Sequence, residues 1–168
     1  MMDTIAVYWE PKIKTYGIAE KAGLSMVSFS LFTSGPISEE GWLRRAYSTT
    51  GEFLLVFARP STQRGLRLHL LFEGRPSSHL LEEFSGVAGG RESSGLRVDA
   101  DVELVYFQGP HFGDRYGIAD AAFGTLLGAN VSVLAAACTG ASIYIVMPKN
   151  SINAARKALS KAFVVPGQ

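Results

Sequence analysis

The chain has 168 residues, of which 47% are hydrophobic and 18% charged, with a formal net charge of +1. That composition excludes disorder over most of the length and suits one ordinary domain or two small ones. With 16 basic against 15 acidic residues and no run of Lys or Arg, neither nucleic acid nor an anionic membrane is an expected partner.

The opening stretch MMDTIAVYWEPK carries neither a charged n-region nor an apolar h-region, so it does not read as a signal peptide. A first strand is expected near Ile13 to Ile18 and a long apolar one at Ser25 to Phe32, SMVSFSLF. One short helix fits around Glu39 to Tyr47. Strands at Phe53–Ala58 and Leu66–Phe72 flank the polar loop RPSTQRG. A helix over Ser78–Phe84 and the loop SGVAGGRESSG then lead to a closing strand at Leu96–Val98.

The second half reads more sharply. Val102 to Phe107, VELVYF, has the near-continuous apolar character of a strand buried on both faces. After a turn, Ile118, Ala122, Leu126 and Ala129 mark one face of a helix, with Phe123 and Leu127 beside them and Gly128 and Asn130 as stop signals. Val131–Ala137 and Ser142–Met147 are expected strands joined by the turn CTGA. Ser151 is the expected N-cap of a last helix with buried stripe Ile152, Ala155, Leu159 and Phe163. No run long enough to span a bilayer occurs, and Cys138, the single cysteine, fits a reducing compartment. A cytoplasmic protein is expected.

Both halves follow β-α-β-β-α, the order of the split βαβ sandwich, and both open on a short strand, a polar turn, a long apolar strand and Gly-Pro. The second half has no evident closing strand after its last helix, and the spare strand near Ile13–Ile18 is placed to supply one. The expected fold is α+β: two ferredoxin-like modules in tandem, at 20–98 and at 99–168, the second completed by an exchanged strand from 1–19.

Residues 99–163 resemble an ACT domain. The segment Asp114-Arg115-Tyr116-Gly117, followed by an apolar helix, matches the DRxG signature of that family, with Tyr116 where proline is usual. The polar-turn entry LRVDADVELVYFQGP is similar to the paired ACT modules at the C-terminus of aspartate kinases. Over 24–98 the likeness is weaker, for no DRxG occurs there. The resemblance implies a tandem-ACT regulatory protein without catalytic activity or cofactor. A small amino acid would be its effector, a homodimer its assembly, and an enzyme of amino-acid metabolism its partner.

The candidate ligand-binding residues are Gly109, His111, Phe112, Gly113, Asp114, Arg115, Tyr116, Gly117 and Ile118. Glycines 109, 113 and 117 match neither a dinucleotide fingerprint nor a P-loop. They serve a turn, and in the specific reading they also open the helix start, whose free N–H groups and dipole can take a carboxylate. Asp114 is either an acceptor for the ligand's ammonium or the N-cap of the helix. Arg115 is solvated or paired with Asp120. Gly117 is small for access, so that valine there would block the ligand and leave the helix formed. Two rival readings are an assembly module with a decayed ligand site and a small enzyme using Cys138 or His111. Cys138 ends an apolar strand without a neighbouring histidine, which suits a buried structural thiol. His69 and His79 are ten residues apart, one in a strand and one capping a helix, and make no metal constellation.

Overall fold

The computed structural model describes residues 11–32, 53–61, 65–87 and 95–164. The helix expected at 39–47, with Glu39, Glu40, Trp42 and Tyr47, lies outside the described residues. The elements in chain order are β1 (Ile13–Lys14), β2 (Gly17–Phe32), β3 (Leu55–Ser61), β4 (Gly65–Glu73), α1 (Ser78–Val87), β5 (Arg97–Gln108), α2 (Ile118–Gly128), β6 (Ala135–Cys138), β7 (Ser142–Met147), α3 (Ile152–Leu159) and β8 (Phe163–Val164). They form a mixed α/β structure with few helices, in which the β1–β8 pair is parallel and the pairings of β2, β3 and β4 and of β5, β6 and β7 are antiparallel. The chain divides into two compact units, one of Met1–Ala22 with Glu103–Gln168 and one of Gly23–Val102.

In the first unit β5 pairs antiparallel with β7, Val105 opposite Ile145 and Phe107 opposite Ile143, and β7 pairs with the edge strand β6. Alternation turns Val105, Phe107, Ile143, Ile145 and Met147 to one face. There they meet Ile118, Ala122 and Leu126 of α2, and Ala155, Ala158 and Leu159 of α3. The helix stripe thus stops one turn early, since Ala129 is an exposed C-cap. Leu127, expected beside the stripe, is 78% exposed. β6 starts four residues later than expected, at Ala135. The Val131 N–H turns back to the Leu126 carbonyl at 3.0 Å and Asn130 takes a left-handed φ of 54°, so these residues close the helix before a strand can begin.

Glu103 is the one buried charged side chain among the described residues. Its carboxylate accepts N–H bonds from Asn150 at 2.9 Å and from Ser151 and Ile152 at 2.8 Å. This corrects the reading of Ser151, which occupies the cap position of α3 but makes no side-chain cap bond. A carboxylate reaches several orphan donors at once and adds negative charge at the positive end of the helix dipole, which a hydroxyl cannot do.

The expected gap in closure after the last helix is also corrected. β8 pairs in parallel with β1, Ile13 opposite Phe163 and Lys14 opposite Val164. At two residues it is too short to show a period in sequence.

In the second unit β4 lies between β3 and β2, antiparallel to both. Val27, Phe29, Leu68, Leu70 and Phe72 pack on Leu80 and Phe84 of α1, with the rings of Phe29 and Phe84 stacked at 5.1 Å. α1 is capped by the Ser77 hydroxyl, which accepts the Leu80 N–H at 3.2 Å; His79, expected as the cap, is an exposed residue inside the helix.

Where a short strand, a polar turn and a long strand were expected, the backbone is continuous. β2 carries Gly23 at φ 72° and β5 carries Asp101 at φ 55°, single left-handed residues that re-aim a strand without ending it. Among the described residues no helix is long and apolar enough to cross a membrane, and no group of three or more potential metal ligands occurs.

Candidate functional site

The turn between β5 and α2 is built from a close approach at each end. A side chain at Gly109 would strike the Lys14 carbonyl oxygen and the Phe112 ring, so this position admits only hydrogen. At Gly113 an added Cβ would stand 3.1 Å from the Gly140 carbonyl. Phe112 turns inward and meets Phe107 edge-on at 6.0 Å, while Ile118 is buried in the core. Gly109, Phe112, Gly113 and Ile118 thus shape the turn from inside.

The outward side carries the chemistry. His111 adopts φ 65°, and its carbonyl accepts N–H bonds from Asp114 at 3.3 Å and Arg115 at 2.9 Å. Its Nδ1 lies 3.2 Å from Oδ2 of Asp114, both side chains being exposed. Tyr116 is 99% exposed and Arg115 half-buried. Asp114 is therefore not the N-cap: α2 begins at Ile118, and Gly117 holds the cap position with φ 81° and no side-chain cap bond.

Gly117 has a different reason from the one its sequence position suggested. A Cβ there would meet nothing within 4 Å, but the left-handed backbone strains any L side chain, and a β-branched one most. Valine at this position would disturb the helix start as well as any ligand. The uncapped first turn, with Asp120 its only acidic residue, leaves N–H donors available at the head of an eleven-residue helix.

The nine candidate residues are brought together by chain continuity, and none of them lines either of two cavities in this unit. One of about 300 Å³ is lined by Tyr16, Gly17, Ile18, Tyr106, Gln108, Ser142 and Tyr144, with Tyr106 and Tyr144 stacked at 5.8 Å. Sequence reading passed over it. Its only signal was the alternation that places Tyr106 and Tyr144 on the strand face away from the core. Cys138, expected as a buried structural thiol, is instead exposed at the end of β6; partial desolvation still raises its thiol above the usual range, which opposes a thiolate nucleophile.

No protein-family model matches the sequence, and no curated protein matches it. Solved structures do resemble the fold. The regulatory subunit of aspartate kinase from Thermus flavus superposes with a TM-score of 0.72 at 12% identity, over 88% of this chain and 97% of that one. The ligand-free regulatory subunit from Thermus thermophilus gives 0.70 at 13% identity, over 89% and 99%. Against the much longer aspartate kinase of Clostridium acetobutylicum the TM-score is 0.66 at 18% identity, covering 92% of this chain and 36% of that one. The fold is thus that of ACT-type regulatory regions of aspartate kinases.

Proposed function

We propose that this chain is a non-catalytic, cytoplasmic regulatory protein of two ACT-like modules. The module at 99–168 is completed by an exchanged strand from 1–19. It binds a small amino acid at the 109–118 turn and transmits that binding to a partner enzyme of amino-acid metabolism, working as a homodimer. The observation that carries this reading is the uncapped start of α2, fronted by a left-handed glycine and an exposed Asp114. A ligand carboxylate would take the helix N–H groups, each charge-assisted bond being worth about 1.5–3 kcal/mol before desolvation. The ammonium would take Asp114. Two such contacts give the roughly micromolar-to-millimolar affinity a metabolite sensor uses. The likeness to regulatory subunits supports the same reading. A thermal-shift screen of the twenty amino acids, followed by calorimetry, tests it. One amino acid should stabilise the protein saturably, and a flat response across all twenty would end the proposal.

A further inference from the structure

The face of the Gly23–Val102 unit that α1 does not cover is arranged in rows across three strands. In one row Phe57 on β3, His69 on β4 and Ser28 on β2 stand opposite one another; in the next stand Arg59, Arg67 and Ser30. Two arginines at directly paired positions on one face repel, an arrangement that antiparallel sheets ordinarily avoid. The nearby carboxylate, Asp99, is engaged by Arg97, whose Nε and Nη2 donate to Oδ1 at 2.9 and 2.7 Å. Among the described residues Arg59 makes no ion pair, and Arg67 donates to the Ser30 hydroxyl alone, at 3.2 Å. Ser28 and Ser30 are buried and Arg67 half-buried, while Arg59 at the end of the row is exposed.

We infer that the Arg59–Arg67–Ser30 row is a binding site for a small doubly charged oxyanion of the phosphate class. Two guanidinium forks and a hydroxyl suit a dianion with several oxygens, and a dianion removes the repulsion that the bare sheet retains. His69, one row away, bonds through Nδ1 to the Ser28 hydroxyl at 2.8 Å and stacks on Phe57 at 5.2 Å, a flat surface beside the charged row. Burial, then Arg67 and Arg59, hold its imidazole below the usual range, so the row gains no third positive charge of its own. This site is independent of the 109–118 turn and shares no residue with it.

The test is a titration of the full chain with sodium phosphate, at ionic strength fixed by sodium chloride, read by thermal shift and calorimetry. Phosphate should raise the melting temperature beyond matched chloride, and it should move the ring signals of His69 but not those of His79 or His111. Arg59→Gln should weaken phosphate at least tenfold, yet in chloride alone be as stable as the unaltered chain or more so, because it removes a like-charge pair. Phenyl phosphate separates the sources: tighter binding assigns a ligand with a ring beside its phosphate, and equal binding assigns phosphate itself. Unchanged affinity in Arg59→Gln, loss of stability of that variant in chloride, or a phosphate effect no larger than that of chloride overturns the inference.

Discussion

Two helices of one unit begin in opposite ways. The start of α3 is closed by Glu103, a strand carboxylate that accepts three backbone N–H groups from inside the fold. The start of α2 has a left-handed glycine at its cap position and no side-chain cap bond there. The contrast shows what this unit does with a helix terminus whose only task is to hold the fold: it neutralises it internally. Glu103 also serves as a built-in measure of what a ligand carboxylate would meet at the proposed α2 site.

The largest expected effect comes from breaking the closed terminus. Glu103→Ala leaves three part-buried backbone donors without a partner and should destabilise the protein by about 4 kcal/mol, lowering the melting temperature by roughly 10 °C. Glu103→Gln, which keeps an acceptor but loses the charge, should fall about midway in the same melt. Gly109→Ala forces the turn away from Lys14 and Phe112 and should cost about 2 kcal/mol, measured by chemical denaturation.

Gly117→Asp makes the open terminus resemble the closed one. Left-handed strain and the favourable charge at the helix start roughly cancel, leaving stability within about 1 kcal/mol. Affinity for the amino acid found in the screen should fall at least tenfold by calorimetry; undiminished binding would move the site elsewhere. The smallest effect is that of Asp114→Ala. Because Asp114 is exposed and does not hold the cap position of α2, stability should change by less than about 0.5 kcal/mol, while binding weakens by about two- to fivefold.

Much of this contrast could be read from the sequence on one side only. The glycine spacing at 109, 113 and 117 and the helix stripe Ile118, Ala122, Leu126 are local patterns, and they placed the turn and α2 correctly. β7 was legible to the residue, because SIYIVM alternates and is bounded by Gly140 and Pro148. Glu103 was not legible as a cap, since its partners lie 47 to 49 residues away and nothing local distinguishes it from a solvated strand charge. Ser151 looked like the cap because its type and position fit, and a distant carboxylate outcompeted it. The reason for Gly109 was hidden in the same way, in a contact with Lys14 from the far end of the chain. The opposition of Arg59 and Arg67 depends on strand register, which a sequence with a polar loop between its strands does not fix.

The parallel pairing of β1 with β8 decides how this unit bears load. The chain enters β1 from one end of the ladder and leaves β8 at the other, as a parallel pair requires. A pull on the two flanking stretches of chain therefore acts as shear. The bonds from the Ile13 and Thr15 N–H groups, at 2.8 and 3.2 Å, and from the Thr15 hydroxyl, at 2.8 Å, are stretched together instead of peeling one by one. Two short strands thus act as a mechanical clasp, stiff against tension along the chain even though each contributes only two residues to the sheet.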